Sequence, residues 1–390
     1  MAKFLEPEQL GLYGLIAATI GYAMYAVGFE FYSFSTRELI ARGPPHWRSI
    51  VRDQAAFYAF TYAICVPVLV FVFARSEFSA LYALWFVGLL VLEHAGQELS
   101  RILVAISEPL LASTVLFVRT GAWCLVAVLV MTFIPAARNL DFVLTAWTIG
   151  ALIACGLGFR RIHQFDRSEF SSRVDWSRVR KGFQIAIPFL IASLAVRGMF
   201  TFDRYWIEAT AGLQALGAYV LFAGMATAVL AFLDAAVIDF MYPRLVAAAR
   251  AADAVAFRAN MKNLLVNVVF ITGALIAACW ILSGPLVVWL DKPTYAENLH
   301  LLKWLLVAVG FYALGTIPHV ALYAHHRDRP LYVSQVAGFF VFLAVCYVFG
   351  PSHGAITVPL ALCAAFCVVS CWKFAAYMYM RTEQKAAISH

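Results

Sequence analysis

Long apolar runs separated by short polar segments fill almost the whole chain. A helix needs roughly 20 apolar residues to cross the hydrocarbon core of a bilayer, and most of the runs reach that length. The pattern therefore predicts an all-α, polytopic membrane protein of about 11 transmembrane helices. The predicted spans are 10–32, 55–74, 78–101, 110–134, 141–158, 184–206, 215–242, 263–290, 301–323, 331–349 and 355–378.

Composition agrees with a lipid environment. Hydrophobic residues make up 63% of the chain, charged residues 13%, and the mean hydropathy is +0.80. A soluble domain carries roughly 25% charged residues, so no soluble domain of any size is expected. No Walker loop and no large outer loop with catalytic groups stand out. We expect a protein that is not an enzyme and that uses no cofactor and no metal. Energy would come from an ion gradient (H⁺ or Na⁺) or the membrane potential.

The net charge of +7 follows from the loops between the spans. Of the 29 Lys and Arg residues, twenty lie in alternate loops on one side and five on the other. Basic loops face the cytoplasm, so the sequence predicts an outer N-terminus, a cytoplasmic C-terminus and no nucleic-acid partner. We predict a bacterial cytoplasmic (inner) membrane protein.

The longest basic loop divides the chain. Residues 170–181 within it have the pattern of a helix lying on the membrane surface. The predicted organisation is an N-terminal lobe at 1–158 with five spans, a cytoplasmic amphipathic linker at 159–183, and a C-terminal lobe at 184–390 with six spans.

A short internal repeat relates the two lobes. Residues 10–17 (LGLYGLIA) resemble residues 216–223 (LGAYVLFA), at an offset of 206 residues. Duplicated lobes in one orientation are a known transporter architecture. A span precedes the second copy but not the first. The repeat therefore predicts a 6+6 architecture of which 5+6 spans are present, with the first helix missing.

Four stretches carry a family resemblance. They are 10–14 (LGLYG) with 28–38 (GFEFYSFSTRE), 93–101 (EHAGQELSR), 181–190 (KGFQIAIPFL) running to Asp203-Arg204, and 216–219 (LGAY) with 242–244 (YPR). The chain resembles the oligosaccharide-lipid flippases of the multidrug/oligosaccharidyl-lipid/polysaccharide exporter superfamily, which include O-antigen and capsule-repeat flippases. This resemblance implies a MATE-like fold and alternating access. It also implies transport of a polyprenyl-diphosphate-linked oligosaccharide for surface polysaccharide or lipopolysaccharide biosynthesis.

Other functions remain open at this point. One alternative is a cation/drug antiporter of the same fold, and another is a cell-wall lipid-precursor flippase, for which two extra helices would be expected. An alternative of another class is a membrane-bound glycan polymerase or transferase. As partners we expect the lipid-linked substrate, the bilayer and a glycan polymerase or ligase of the same pathway, with the chain itself a monomer.

Two arginines lie near the middle of their spans. Charge at that depth is costly and usually faces a bundle interior or a watery cavity. Arg119 and Arg197 are therefore predicted to line a cavity and to bind the diphosphate or acidic sugars, because guanidinium makes paired hydrogen bonds with such anions. The alternative is an internal ion pair with a buried acid such as Glu93 or Asp234.

The span 78–101 carries a polar stripe. Glu93, Gln97 and Arg101 recur every four residues, and His94 lies beside them. The stripe predicts a cavity-facing surface, with a polar network inside one lobe as the alternative. Glu93 and His94 are also candidates for coupling to a proton or cation.

Three further polar residues and one proline complete the candidates. Asp203 and Asp234 are predicted coupling residues, and Arg204 a substrate contact; Asp203 and Arg204 have interfacial anchoring as the alternative. Pro188 removes a backbone hydrogen bond from the span that carries Arg197. It is a candidate hinge, with a static kink as the alternative.

Overall fold

The computed structural model describes residues 1–75, 80–165 and 173–388. These residues are almost entirely helical, and no strand lies among them. The helices are α1 (Pro7–Gly28), α2 (Tyr32–Arg42), α3 (Pro44–Arg75), α4 (Ala80–Ala105), α5 (Pro109–Phe117), α6 (Trp123–Phe133), α7 (Leu140–Ile162), α8 (Trp176–Leu233), α9 (Asp239–Arg250), α10 (Ala254–Leu290), α11 (Pro293–Glu297), α12 (Leu299–Ala324), α13 (Arg329–His353) and α14 (Thr357–Ile388).

The helices confirm the predicted fold class. Within the described residues, eight helical segments are long and apolar enough to cross a membrane. One of them, Trp176–Arg250, contains two predicted spans, so the eight account for nine of the eleven. The other two, 55–74 and 78–101, fall in α3 and α4, although residues 76–79 lie outside the described part of the chain.

Two predicted boundaries differ from the structure. The predicted span 10–32 is too long, because α1 ends at Gly28 and both Phe29 (φ 54°) and Glu30 (φ 53°) are left-handed. Such backbone is costly for L-residues and cannot continue a right-handed helix. The predicted surface helix at 170–181 is the beginning of α8 from Trp176 onward, and residues 166–172 are not described.

Helix α8 joins two predicted spans at one glycine. Gly212 has φ 79° and ψ 175°, which interrupts an otherwise helical run of 58 residues. Only glycine adopts this conformation at little steric cost, so the turn between the spans occurs there. Pro188 lies inside the first half of α8, and the helix continues through it.

Two short π-helical segments interrupt the spans. Val118–Ala122 separates α5 from α6 and contains Arg119, and Asp234–Ile238 separates α8 from α9 and begins with Asp234. Single π-helical turns within α-helices are frequent at functional sites. Both segments thus carry a charged residue that the sequence had singled out.

Contacts divide the chain into two compact units. Unit 1 comprises Met1, Lys3–Leu5 and Ile16–Leu194; unit 2 comprises Ala2, Glu6–Leu15 and Ala195–His390. Unit 1 contains an aliphatic core around Leu103 and Val115, and an aromatic cluster in which Phe31 stacks on Phe57 at 4.5 Å. Unit 2 has a larger core in which Tyr219 and Phe222 are fully buried.

Within unit 2, the two copies of the internal repeat touch each other. A Cβ at Gly11 would lie 2.6 Å from the carbonyl oxygen of Leu213, and one at Gly217 would lie 2.0 Å from that of Pro7. Gly11 and Gly217 are 206 residues apart, and so are their contact partners Pro7 and Leu213. Each glycine therefore touches the equivalent residue of the other copy. The amide of Gln214 also donates to Glu8, its equivalent in the first copy, at 2.6 Å. The two segments therefore cross with local two-fold symmetry, and glycine permits the close approach.

Candidate functional site

Arg119 forms a buried ion pair within unit 1. Its Nη1 donates to Glu93 Oε2 at 2.8 Å and to the Glu93 carbonyl oxygen at 3.3 Å. Both side chains are under 10% exposed. Trp147 Nε1 donates to the other carboxylate oxygen of Glu93 at 2.8 Å. The geometry of Arg119 is therefore the internal ion pair that the sequence left as the alternative to a substrate contact.

Glycines make room for this ion pair. A Cβ at Gly96 would lie 2.8 Å from Cδ of Arg119, and one at Gly150 would lie 2.6 Å from Cβ of Trp123. Trp123 in turn stacks on Trp147 with ring centroids 5.6 Å apart. Helices α4, α7 and the π-helical segment between α5 and α6 thus pack closely enough to enclose the charges.

Glu98 organises a second polar cluster in unit 1. Its carboxylate accepts hydrogen bonds from Tyr58 (2.7 Å), Gln54 (2.7 Å) and Arg101 (2.5 Å). The Arg101 guanidinium also lies 3.5 Å from the ring centroid of Tyr32, a cation–π contact. Arg101 is thus held on two sides by groups of its own unit.

His94 and Gln97 complete the α4 stripe. His94 is buried, and its Nδ1 lies 2.9 Å from the hydroxyl of Tyr62. Gln97 donates to the hydroxyl of Tyr25 at 3.4 Å. A Cβ at Gly28 would lie 2.7 Å from His94 Nε2, so the imidazole reaches the end of α1. The stripe takes part in a hydrogen-bonded network inside unit 1.

Asp203 lies in a comparable arrangement in unit 2. It is 1% exposed, accepts a hydrogen bond from Tyr219 at 2.6 Å and pairs with Arg204 at 3.0 Å. Arg204 Nη1 also donates to the carbonyl oxygen of Phe200. The aspartate is thus a buried, fully engaged group.

Arg197 has different surroundings from Arg119. It is exposed along the first half of α8. It lies close enough to Tyr312, on α12, for its charge to act on that hydroxyl. Of the two arginines predicted at mid-span, Arg119 is enclosed and Arg197 is accessible.

A cavity of 190 Å³ lies inside unit 2. Its wall contains polar side chains from four helical elements: Asp234 in the π-helical segment, Tyr312, Thr316 and His319 on α12, Gln335 on α13 and Lys373 on α14. Asp234 is exposed, whereas Lys373 is 7% exposed. Among the described residues no hydrogen bond or ion pair is formed by Lys373, so its ammonium is a buried charge without a protein counterion.

Sequence reasoning did not single out this cavity. Lys373 entered only the charge count, and His319 and Gln335 were passed over. The sequence does show polar residues within each of the spans 301–323, 331–349 and 355–378, which could have indicated a shared cavity. Their convergence depends on the relative rotation of three helices, which hydropathy alone does not specify.

Comparisons of sequence identify no family, since no family model and no curated protein matches the chain. Comparisons of structure do find relatives. The chain is similar to an inward-facing multidrug resistance MATE family transporter of the MOP superfamily (TM-score 0.76, 12% identity, 99% of this chain and 94% of that one).

Two further solved structures extend the likeness. One is a MOP superfamily transporter from Pyrococcus furiosus, described as having a binding pocket of reverse polarity (TM-score 0.62, 11% identity, 97% and 88% coverage). The other is the lipid II flippase MurJ in an inward closed conformation (TM-score 0.62, 12% identity, 94% and 81% coverage). The chain therefore has the two-lobe, all-helical MATE-like fold.

Proposed function

We propose that the chain moves a polyprenyl-diphosphate-linked oligosaccharide across the bacterial cytoplasmic membrane by alternating access. The fold supports transport in general, since its structural relatives include both MATE transporters and a lipid II flippase. The proposal places the C-terminus in the cytoplasm and has the chain act as a monomer. In the proposed pathway, a polymerase or ligase acts after this chain and uses the exported glycan.

The observation that supports this choice of substrate is the exposure of the Arg197 side chain within its span. In unit 1, Glu93 and Glu98 are already engaged by Arg119 and Arg101, so neither carboxylate is available to a cationic substrate. Arg197 is exposed in the middle of a span, where a charge requires a polar passage. A guanidinium in such a passage suits a phosphate or an acidic sugar.

The direct test is export by substituted chains. Arg197→Ala removes a charge-assisted contact worth about 1.5–3 kcal/mol, or roughly ten- to more than hundredfold in affinity. Surface polysaccharide in cells that depend on this chain should fall accordingly, and Arg197→Lys should retain part of it. Arg258→Ala is the matched control, because Arg258 is exposed at the beginning of α10. Normal polysaccharide with Arg197→Ala at wild-type protein levels would refute the substrate assignment.

One observation favours the cation/drug antiporter as a second candidate. Asp234 is an exposed acid on the wall of the unit 2 cavity, and it forms no ion pair among the described residues. Of the four coupling candidates, Glu93, Asp203 and His94 already have partners, so Asp234 is the one that the described residues leave available. An antiporter should confer tolerance to cationic drugs on a sensitive bacterium, and Asp234→Asn should abolish that tolerance. A flippase should confer none.

A further inference from the structure

The cavity inside unit 2 carries a buried positive charge that no group in the described part of the chain neutralises. Leaving an ion out of water is expensive unless it is paired and hydrogen-bonded. Lys373 is 7% exposed and makes no hydrogen bond or ion pair within the described part of the chain. Its ammonium offers three donors and no acceptor, so an anion is the chemical complement.

The other polar groups on the wall are mostly donors or amphoteric. His319, on α12, lies close enough to Lys373 for their charges to interact. Gln335 contributes an amide, and Tyr312 contributes a hydroxyl. The Thr316 hydroxyl donates to the carbonyl of Ala313, which leaves its oxygen as an acceptor for a protonated ligand oxygen. Hydrogen-bond donors on α12, α13 and α14 therefore line the same cavity.

Asp234 is the one acid among the described residues of the wall, and it does not neutralise Lys373. Asp234 is exposed, and no ion pair joins it to Lys373. The volume of 190 Å³ exceeds by about tenfold the space that one water requires, so a polyatomic anion with bound water fits. A tetrahedral anion with several acceptor oxygens matches donors arriving from several directions better than a planar carboxylate does.

We propose that the cavity of unit 2 is a binding site for a phosphoryl anion, held by Lys373 with His319 and Gln335 as hydrogen-bonding partners. The anion is either free phosphate or the phosphate of a lipid headgroup. The inference goes beyond the proposed function, because the site would hold a phosphoryl group whatever substrate the chain transports.

Two binding measurements on the purified full chain test the site and distinguish its sources. Inorganic phosphate is titrated calorimetrically against protein in a lipid-free neutral detergent. Separately, protein in phosphatidylcholine nanodiscs with or without phosphatidic acid is analysed by native mass spectrometry for retained lipid. Phosphate binding in detergent identifies a free-anion site, and selective retention of phosphatidic acid identifies a headgroup site.

Substitutions of cavity residues test whether phosphate or phosphatidic acid binds in this cavity. Lys373→Met keeps an unbranched side chain of similar length without the charge, and it should weaken phosphate binding or lipid retention at least tenfold. Gln335→Leu, a second cavity variant, should weaken it severalfold even if Lys373→Met does not fold. Lys262→Met is the matched control on the exposed surface of α10 and should bind as the wild type does. Asp234→Asn should tighten binding, because it removes a negative charge from the wall of the cavity.

Several results would overturn the proposal. Wild-type protein that binds neither probe is one. A folded Lys373→Met variant that binds phosphate or phosphatidic acid as tightly as the wild type is another. Chloride bound as tightly as phosphate would exclude the phosphoryl class. Weaker phosphate binding by Asp234→Asn than by the wild type would contradict the charge argument for an anion in this cavity. Export by the same variants is measured in parallel, so a failed phosphoryl site and a failed flippase assignment give different results.

Discussion

The crossing of the two repeat segments makes a sharp prediction about one methyl group. Gly217→Ala places a Cβ 2.0 Å from the carbonyl oxygen of Pro7 and 2.6 Å from its carbonyl carbon, where ordinary contacts begin at 3.4 Å. Both atoms belong to backbone and cannot rotate away. Relief therefore requires the segments to move apart by about 1 Å or more. Gly224→Ala, seven residues further along α8, meets open space.

The two substitutions should change the stability of the protein by different amounts. Overpacking of this kind costs about 1–3 kcal/mol and occasionally more. Alanine in a helix gains up to about 1 kcal/mol over glycine through its intrinsic propensity. Gly224→Ala should therefore stabilise the protein slightly. Gly217→Ala gains the same propensity, because Gly217 also lies within α8, but it bears the overpacking cost as well. It should therefore be less stable than Gly224→Ala by about 1–3 kcal/mol.

Thermal stability of purified protein measures the gap. The apparent melting temperatures of the wild type, Gly217→Ala and Gly224→Ala are compared in one detergent at one heating rate, because unfolding of such proteins is often irreversible. Gly11→Ala, whose Cβ would lie 2.6 Å from the Leu213 carbonyl oxygen, should behave like Gly217→Ala. Equal melting temperatures for Gly217→Ala and Gly224→Ala would refute the close backbone contact and the local two-fold symmetry inferred from it.

Three further substitutions test the buried polar groups. Arg119→Met should cost about 3–5 kcal/mol by stranding Glu93, and the double variant Arg119→Met/Glu93→Gln should recover part of that loss. Arg161→Met is the control for Arg119→Met. It should cost less than about 1 kcal/mol, because the side chains of the Arg161–Glu108 pair are 29% and 39% exposed. Equal losses of stability in Arg119→Met and Arg161→Met would contradict this reasoning. Tyr219→Phe should cost about 1–3 kcal/mol by removing the 2.6 Å bond to Asp203, and an unchanged melting temperature would show that this bond contributes nothing. Glu98→Gln should lower the melting temperature more than Glu108→Gln does, because Glu98 bonds to Gln54, Tyr58 and Arg101, whereas among the described residues Glu108 is paired with Arg161 alone.

The sequence predicted the helices well, for a physical reason. A helix that crosses a bilayer requires an apolar run of a certain length, and such a run can be identified directly from the sequence. The errors lie where backbone conformation departs from the pattern. Hydropathy does not show that Phe29 and Glu30 are left-handed, and it gives no reason to end α1 at Gly28. The turn between the two spans of α8 depends on the single conformation of Gly212.

The candidate site was predictable only in part. The acid and the base of the Glu93–Arg119 pair were both identified, since charge in a span is rare and conspicuous. Their partnership was one of two alternatives, because it depends on the rotations of α4 and of the π-helical segment. Trp147 as a third member was missed, since an indole in a span normally suggests lipid contact. Lys373 was missed as a site for the same rotational reason.

Both units contain buried carboxylates that are paired, at Glu93 and Glu98 in unit 1 and at Asp203 in unit 2, but unit 2 also has charged residues outside such pairs. In unit 1 the buried carboxylates Glu93 and Glu98 are paired, so the charges stabilise a fixed network. In unit 2, Arg197 is exposed within a span, and the buried Lys373 forms no ion pair among the described residues, with Asp234 on the wall of the same cavity as Lys373. A conformational change that carries a ligand requires groups whose interaction energy differs between states. The ion pairs of unit 1 already satisfy their carboxylates, so their interaction energy with a ligand should differ little between states. Lys373 and Asp234 of unit 2 can supply it, so substitutions at these two residues should alter the proposed transport while leaving the fold intact.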